Sequence, residues 1–265
     1  MSILNTLLKE PPIRRLTQLV VRALPVSSRT KATWDAVERP QYLVGVLHAV
    51  DQTKSEGGKA VSVVEFGVAE GYGLLALQRH AAIVEHETDV RVDVYGFDTG
   101  TGLPEFIQDH RDHPDKWKRG DYPMDEEQLR QQLMPRTRLV IGDVRKTVTQ
   151  TELAAPLGFV ALDLDLYSST VAALRILERP DCRLLRRIAL YFDDTREASN
   201  HRWAGELLAI DEFNQASQSI KIDRWRGLRA RRPFPEADWI GGMYLAHHLK
   251  AIGQTTLTRR TARMR

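Results

Sequence analysis

The chain has 265 residues and a mass of 30.2 kDa, a size that suits one large α/β domain with additions at its ends. Its apolar fraction of 42% is normal for a globular protein with a hydrophobic core. No run approaches the roughly 20 consecutive apolar residues that cross a bilayer. The only cysteine, Cys182, excludes an internal disulfide and favours a reducing, cytoplasmic setting.

Positive charge is concentrated near the C-terminus. The net charge is only +3, but residues 221–232 and 250–265 are rich in Arg and Lys. A basic tail can bind nucleic acid or an anionic membrane. Because no aromatic residue interleaves with the charges of the tail, we expect a solvated terminus, with neither nucleic acid nor a membrane as partner.

The distribution of apolar and charged residues divides the chain into three parts. Residues 1–40 are predicted to form an N-terminal helical extension, because the apolar residues at positions 3–20 are spaced as in an amphipathic helix. Residues 41–250 form the main domain, and residues 251–265 form the basic C-terminal tail. No internal repeat or low-complexity linker interrupts this single-domain organisation.

Strand-like and helical segments alternate from about residue 40, which predicts a doubly wound, mostly parallel sheet covered by helices on both faces. The predicted strands lie at 61–66, 91–97, 138–141, 159–162 and 188–192. The predicted helices lie at 71–84, 168–177 (with a serine N-cap) and 203–215. Segments 220–225 and 240–247 predict an antiparallel pair at the edge, which completes seven strands. The long polar loop at 99–124 is either a lid over a site or a solvated segment.

Closely spaced glycines follow the first predicted strand, at Gly67, Gly71 and Gly73. Such a turn lets the backbone approach a ligand closely. Its spacing is not the G-x-G-x-x-G of a dinucleotide site. Glu65 and Glu70 would also repel a pyrophosphate, whereas they suit a ligand with an ammonium or sulfonium group. A purely structural turn is the alternative.

Acidic residues also end the next two predicted strands. Asp98 stands where a carboxylate can accept hydrogen bonds from both hydroxyls of a ribose. Asp143 follows the third strand, where its carboxylate or the neighbouring backbone can meet an adenine edge. Ligands of open α/β sheets bind at the carboxyl ends of the strands, so these acids predict a nucleoside site.

Four aspartates follow the fourth and fifth strands: Asp163, Asp165, Asp193 and Asp194. If these strands are neighbours, mutual repulsion makes the cluster costly unless a cation neutralises it. Oxygen ligands alone indicate a hard ion, Mg²⁺ before Ca²⁺. Helix caps and salt bridges to arginines are the alternative interpretation.

The order of these segments resembles the macrocin O-methyltransferase family, metal-dependent enzymes that methylate sugar hydroxyls of natural products. The resemblance is carried by residues 64–67 (VEFG), 97–104 (FDTGTGLP), 117–122 (WKRGDY), 163–170 (DLDLYSST) and 193–194 (DD). The catechol O-methyltransferase type is more distantly similar, since it also takes metal ligands from the ends of the fourth and fifth strands. The chain departs from the family at Gly100, where the family has an aromatic residue, and in residues 195–203.

The resemblance implies an S-adenosylmethionine-dependent O-methyltransferase that acts on a small hydroxylated molecule, for instance a sugar of a natural product. It implies Asp165 as the general base. The residues that would line the S-adenosylmethionine site are Glu65, Gly67, Ala69, Gly71, Asp98, Asp143 and Asp163. The residues that would hold Mg²⁺ are Asp163, Asp193 and Asp194. A non-catalytic S-adenosylmethionine-binding protein and a nucleic-acid methyltransferase are the alternatives; the acceptor and a homo-oligomeric state stay open.

Overall fold

The structure, a computed structural model, describes residues 12–196 and 200–256. Its strands are β1 Ala60–Phe66, β2 Arg91–Asp98, β3 Thr137–Ile141, β4 Leu157–Leu162, β5 Leu184–Phe192, β6 Ile220–Arg224 and β7 Met243–His248. They form one sheet in the order β3-β2-β1-β4-β5-β7-β6. The first five strands are parallel, and β7 pairs antiparallel with both β5 and β6. The predicted doubly wound sheet with its antiparallel edge is confirmed.

Helices cover both faces of this sheet. In the described ranges they are α1 Ile13–Ala23, α2 Ser28–Thr33, α3 Pro40–Ser55, α4 Tyr72–Thr88, α5 Glu126–Gln131, α6 Val144–Gln150, α7 Tyr167–Leu174, α8 Gly205–Ala216 and α9 Leu249–Gly253. Helices α3 and α4 pack on one face, and α6, α7 and α8 lie on the other. None of these described helices is long and apolar enough to cross a membrane.

The core lies in two layers that share the central strands. Along β1, Val61 and Val63 contact the layer under α3 and α4, whereas Val64 and Phe66 contact the opposite layer. This division follows from the alternation of side chains along a strand. All four side chains are fully buried, which explains why the strand reads as a continuous apolar run.

The serine N-cap predicted for the helix at 168–177 is wrong. Helix α7 begins at Tyr167, and its N-cap position is Leu166, whose side chain makes no capping hydrogen bond. Ser168 instead donates its backbone N–H and its hydroxyl to Asp112, at 2.8 Å each. The helix also ends earlier than predicted, since residues Arg175–Leu177 tighten into a 3₁₀ turn.

The N-terminal extension is helical where it is described, in α1 and α2. The apolar residues at positions 3–8 and the arginines at 259–265 lie outside the described residues. The division of the chain at residues 40 and 250 therefore stays a prediction.

Candidate active site

The carboxyl ends of the parallel strands surround a cavity of about 420 Å³. Most of the predicted site residues line it: Glu65, Gly67, Ala69, Asp98, Asp143, Asp163, Asp165, Asp193 and Asp194. Parallel strands bring their carboxyl ends to one edge of the sheet, so five separate sequence segments converge there.

Gly67 brings the ends of β1 and β4 together. Its φ of +83° lies in the left-handed region, and a Cβ at this position would lie 1.7 Å from the carbonyl oxygen of Asp163. No residue other than glycine fits this contact without moving one strand. The backbone N–H of Asp163 donates to the carbonyl of Phe66 at 2.9 Å, which fixes the approach of the two strands.

Gly71 was predicted to line the nucleoside site, and that role stays a prediction. Gly71 is the N-cap residue of α4 with a φ of +89°, and it is not among the residues that line the cavity. A Cβ there would lie 2.4 Å from the Cδ1 atom of Leu129 in α5. Gly71 therefore allows α4 to start against α5. Gly73 does line the cavity, and a Cβ on it would lie 1.9 Å from an oxygen of Glu65.

Glu65 is a fully buried carboxyl at the base of the cavity. The Tyr42 hydroxyl donates to its Oε1 atom at 2.5 Å. Its Oε2 atom is buried and has no hydrogen-bond partner among the described residues. Burial raises the pKa of Glu65 to about 8, against the opposing effect of the Tyr42 hydrogen bond.

Asp98 and Asp143 lie on the β2–β3 side of the cavity. Asp98 accepts backbone N–H bonds from Val68 and Ala69, at 2.9 Å each, and from Gly100 at 2.7 Å. It therefore ties the glycine turn to the end of β2, and three of its acceptor positions are used in doing so. Asp143 caps α6 by accepting the N–H of Arg145 at 2.9 Å, and its carboxylate pairs with that arginine's guanidinium.

The four predicted aspartates line the same side of the cavity, where β4 and β5 are neighbours. Asp165 has a φ of +60°, so the chain turns sharply just after β4, and its N–H donates to a carboxylate oxygen of Asp194 at 3.1 Å. Burial, together with the neighbouring carboxylates, raises the pKa values of Asp163, Asp165 and Asp194.

Residues outside the cluster hold two of these aspartates in place. Asp193 accepts the Tyr191 hydroxyl at 2.5 Å and lies 3.5 Å from the guanidinium of Arg196. The N–H of Asp194 donates at 3.0 Å to Glu206, a fully buried carboxyl in the first turn of α8.

The cluster has the donor chemistry of a hard-cation site but not its assembled geometry. Carboxylate oxygens are what Mg²⁺ prefers, and burying several of them together favours a cation between them. Within residues 12–196 and 200–256, however, no group of three or more His, Cys, Asp or Glu side chains is arranged to hold a metal ion. The Mg²⁺ site at Asp163, Asp193 and Asp194 therefore stays a prediction.

The loop at 99–124 is packed over the cavity. Leu103 and Asp121 lie side by side, with the N–H of Leu103 donating to the carbonyl of Asp121 at 2.8 Å. The fully buried Asp112 fastens the loop to α7 through Ser168. The side chains that reach the cavity from this loop include Leu103, Pro104, Trp117, Asp121 and Tyr122. The loop therefore forms one wall of the site.

Sequence reasoning missed the residues that contact the acids from other elements. Arg39 lines the cavity from the N-cap of α3, with a left-handed φ of +46°. Tyr42 and Glu206 approach from α3 and α8 and are fully buried. In the sequence, these residues stand out only as polar or charged positions on otherwise apolar helix faces. Such a position does not identify the residue that it contacts in the fold. Tyr191 is the exception, because it lies two residues before Asp193, and this spacing could have predicted their contact.

No protein-family model matches the chain, and no curated protein sequence matches it significantly. Solved methyltransferase structures do share its fold. The chain is similar to CalS11, described as a calicheamicin methyltransferase, at 23% identity and a TM-score of 0.54, over 90% of this chain and 93% of that one. An apo structure of CalS11, described as a TDP-rhamnose 3′-O-methyltransferase, matches at 22% identity and a TM-score of 0.47, over 93% and 95%. The plantazolicin methyltransferase BpumL, solved with S-adenosylhomocysteine, matches at 12% identity and a TM-score of 0.35, over 84% of this chain and 82% of that one.

The chain therefore has the Rossmann-like fold found in methyltransferases, with an acidic cavity at the carboxyl edge of its sheet. The narrower resemblance to macrocin O-methyltransferases stays a prediction.

Proposed function

We propose that this protein is an S-adenosylmethionine-dependent O-methyltransferase that transfers a methyl group to a hydroxyl of a small molecule. The observation that carries the proposal is the division of one cavity into two acidic halves. Glu65, Asp98 and Asp143 follow β1, β2 and β3, whereas the four-aspartate cluster follows β4 and β5. A donor and an acceptor held in these halves would meet above β1 and β4.

The first half suits a cationic nucleoside. In this proposal Asp98 would accept hydrogen bonds from a ribose. The backbone beside Asp143 would meet an adenine, since the Asp143 carboxylate pairs with Arg145. The buried Glu65 offers an unpartnered oxygen to a positive group. A pyrophosphate would instead face Glu65 and Glu70 across the same cavity, and this repulsion disfavours NAD. When bound, S-adenosylmethionine supplies an activated methyl group on a cationic sulfur.

The second half suits a divalent cation and a hydroxyl group. Asp163, Asp193 and Asp194 would hold Mg²⁺, which when bound would lower the pKa of an acceptor hydroxyl and orient it. Tyr191 and Arg196 restrain Asp193, and Glu206 restrains the backbone of Asp194. These contacts limit how far the ligands must move to assemble the site.

Asp165 is the proposed general base. Its left-handed backbone directs the chain out of β4 and places the residue in the cavity beside Asp194. The acceptor oxygen would form a bond to the methyl carbon as the carbon–sulfur bond breaks, and the hydroxyl proton would pass to Asp165. The products are a methyl ether and S-adenosylhomocysteine.

The acceptor side of the cavity has an aromatic and apolar wall from the 99–124 loop. Trp117 and Tyr122 form an edge-to-face pair with ring centroids 5.9 Å apart. Such a wall can pack against the carbon face of a ring, while the aspartates face its hydroxyls. A sugar of a natural product fits this description, and the likeness to a calicheamicin methyltransferase supports it.

Isothermal titration calorimetry tests the donor assignment. We expect the protein to bind S-adenosylmethionine and S-adenosylhomocysteine, and Asp98→Ala to weaken that binding substantially. The control is Asp109→Ala, which removes an aspartate of the 99–124 loop that pairs with Arg111 and does not line the cavity. Tight binding of NAD, or no binding of either sulfur nucleoside, would contradict the proposal.

A further inference from the structure

Helix α1 turns its apolar side away from the rest of the protein. Apolar residues lie at positions 13, 16, 19 and 20, with Leu24 at the C-cap, so they share one face of the helix. The exposed fraction along this face is 60% at Leu16, 62% at Leu19 and 50% at Val20. A surface helix of a globular protein packs its apolar face against the core. In α1 this orientation is reversed, and no residue of the helix is buried.

The opposite side of α1 attaches the helix to the protein. The half-buried residues of the helix are Arg14, Thr17, Gln18 and Val21. The guanidinium carbon of Arg14 lies 4.4 Å from the centroid of the Phe234 ring, and Phe234 is itself buried. This cation–π contact holds the mostly polar side of α1 against the domain, so the apolar face is left outward.

The charge beside the apolar face is positive. Helix α1 contains three arginines and no acidic residue. Arg15 and Arg22 are exposed, and because they are seven positions apart, both lie along the same edge of the apolar face. Phe234 follows a further exposed basic turn, Arg229–Arg231. Apolar side chains and positive charge are therefore exposed together on this surface.

A second copy of the chain is a poor partner for this face. In a symmetric antiparallel pair of α1 helices, Arg15 of one copy would lie beside Arg22 of the other. These like charges repel each other, and neither helix has an acidic residue to neutralise them.

The small size of the face also disfavours a protein partner. A helix of 11 residues is about 16 Å long and about 10 Å wide. Such a face is far smaller than the roughly 800 Å² per partner that a stable protein interface buries. A lipid surface makes no such demand, because it accepts protruding apolar side chains without a groove of matching shape.

We propose that α1 lies in the plane of an anionic lipid bilayer, with its apolar face among the upper acyl chains and its arginines against the lipid phosphates. Helices that bind in the interface have this composition, with leucines on one face and basic residues beside them. The contact is with the membrane surface only, and it does not depend on the proposed function. From the sequence we expected no membrane partner, but that expectation rested on the C-terminal tail, and α1 is a different surface.

Flotation of the full chain with lipid vesicles tests the proposal. One set of vesicles is pure phosphatidylcholine, and the other contains about 30% phosphatidylglycerol, which makes the surface anionic. We expect the protein to bind the anionic vesicles, to bind the neutral ones weakly, and to be released by high salt, which screens the arginines.

Two double variants separate the apolar and the charged contribution. Leu16→Gln/Leu19→Gln should weaken binding to the anionic vesicles by at least about tenfold, because two apolar side chains no longer leave water. Arg15→Gln/Arg22→Gln should weaken it by about 30-fold, from roughly fivefold for each arginine at an anionic surface. Glutamine preserves helix propensity, and circular dichroism checks the folding of each variant.

Ile83→Gln is the control, because it removes a half-exposed apolar side chain from a different helix, α4, and should bind like wild type. Equal binding of the leucine variant and wild type would overturn the proposal, since charge elsewhere, such as the C-terminal arginines, would then hold the vesicles. A wild-type protein that binds neither kind of vesicle would overturn it as well. Sedimentation equilibrium then identifies the occupant: a dimer that dissociates in the leucine variant assigns the face to a second copy, and a monomer assigns it to another protein.

Discussion

The buried Glu65 should make the free protein less stable as the pH rises. Its pKa is raised to about 8 by burial, from a reference value of 4.5. Between these values the native state binds the proton more tightly than the unfolded chain, so the free energy of unfolding falls with rising pH. The stabilisation that the proton gives is complete below about pH 4.5 and is lost as the pH passes through about 8. The full difference corresponds to about 5 kcal/mol at about 1.36 kcal/mol per pKa unit.

Glu65→Gln removes this titration while keeping the shape and the acceptor for the Tyr42 hydroxyl. Urea unfolding, followed by circular dichroism in ligand-free protein from pH 5 to pH 8.5, measures the difference. We expect the variant to gain stability relative to wild type as the pH rises, by several kcal/mol in total. The control is Glu70→Gln, an exposed glutamate in the same turn, which should run parallel to wild type. Parallel curves for Glu65→Gln and wild type would refute the reasoning.

Three further outcomes are expected. Activity should be abolished by EDTA and restored by Mg²⁺ in an end-point methylation assay; undiminished turnover in chelator would show that the aspartate cluster is structural. Asp165→Asn should lower kcat by about 10²–10⁴-fold with Mg²⁺ and S-adenosylhomocysteine binding retained in calorimetry, whereas Asp163→Asn should weaken Mg²⁺ binding; the reverse result would exchange the two roles. Gly67→Ala should destabilise the protein by at least about 3 kcal/mol in urea unfolding, because left-handed strain adds to overlap with the β4 backbone. Gly57→Ala is the control, because Gly57 also has a left-handed φ, +76°, but has open space where a Cβ would lie. It should cost only about 1–2 kcal/mol. Equal costs for the two variants would argue against the β1–β4 contact.

The sheet and most of the cavity could be predicted from the sequence because both depend on local signals. Continuous apolar runs mark strands buried on both faces, and the residue after each run must lie at the carboxyl edge of a parallel sheet. Asp98, Asp163 and Asp193 were placed by this reasoning alone. Gly67 followed from the same logic, since a glycine directly after a buried strand marks a close backbone approach.

The contacts that orient these acids could not be predicted in the same way. Tyr42 and Glu65 are 23 positions apart and Ser168 and Asp112 are 56 apart, and nothing in either segment identifies the partner. The serine N-cap failed for this reason: a serine near a helix start can cap it, but a buried aspartate from a distant loop competes for the same hydroxyl. Gly71 belongs to the same glycine-rich turn, and the sequence does not show that the Leu129 side chain packs against its Cα.

Charge balance links the two halves of the cavity. Among the described residues that line it, one guanidinium, that of Arg39, stands against nine carboxyl groups: Glu65, Glu70, Asp98, Asp121, Asp143, Asp163, Asp165, Asp193 and Asp194. Several of them are already compensated: Asp98 by three backbone N–H groups, Asp143 by Arg145, and Asp193 by Tyr191 and Arg196. The remaining buried carboxyl groups lie at Glu65 and in the cluster after β4, on either side of the Gly67 contact. A cationic donor on one side and a divalent cation on the other would neutralise these two places separately. An anionic acceptor would be repelled by this excess of carboxyl groups. The cavity should therefore select acceptors whose reacting part is uncharged, such as a hydroxylated ring.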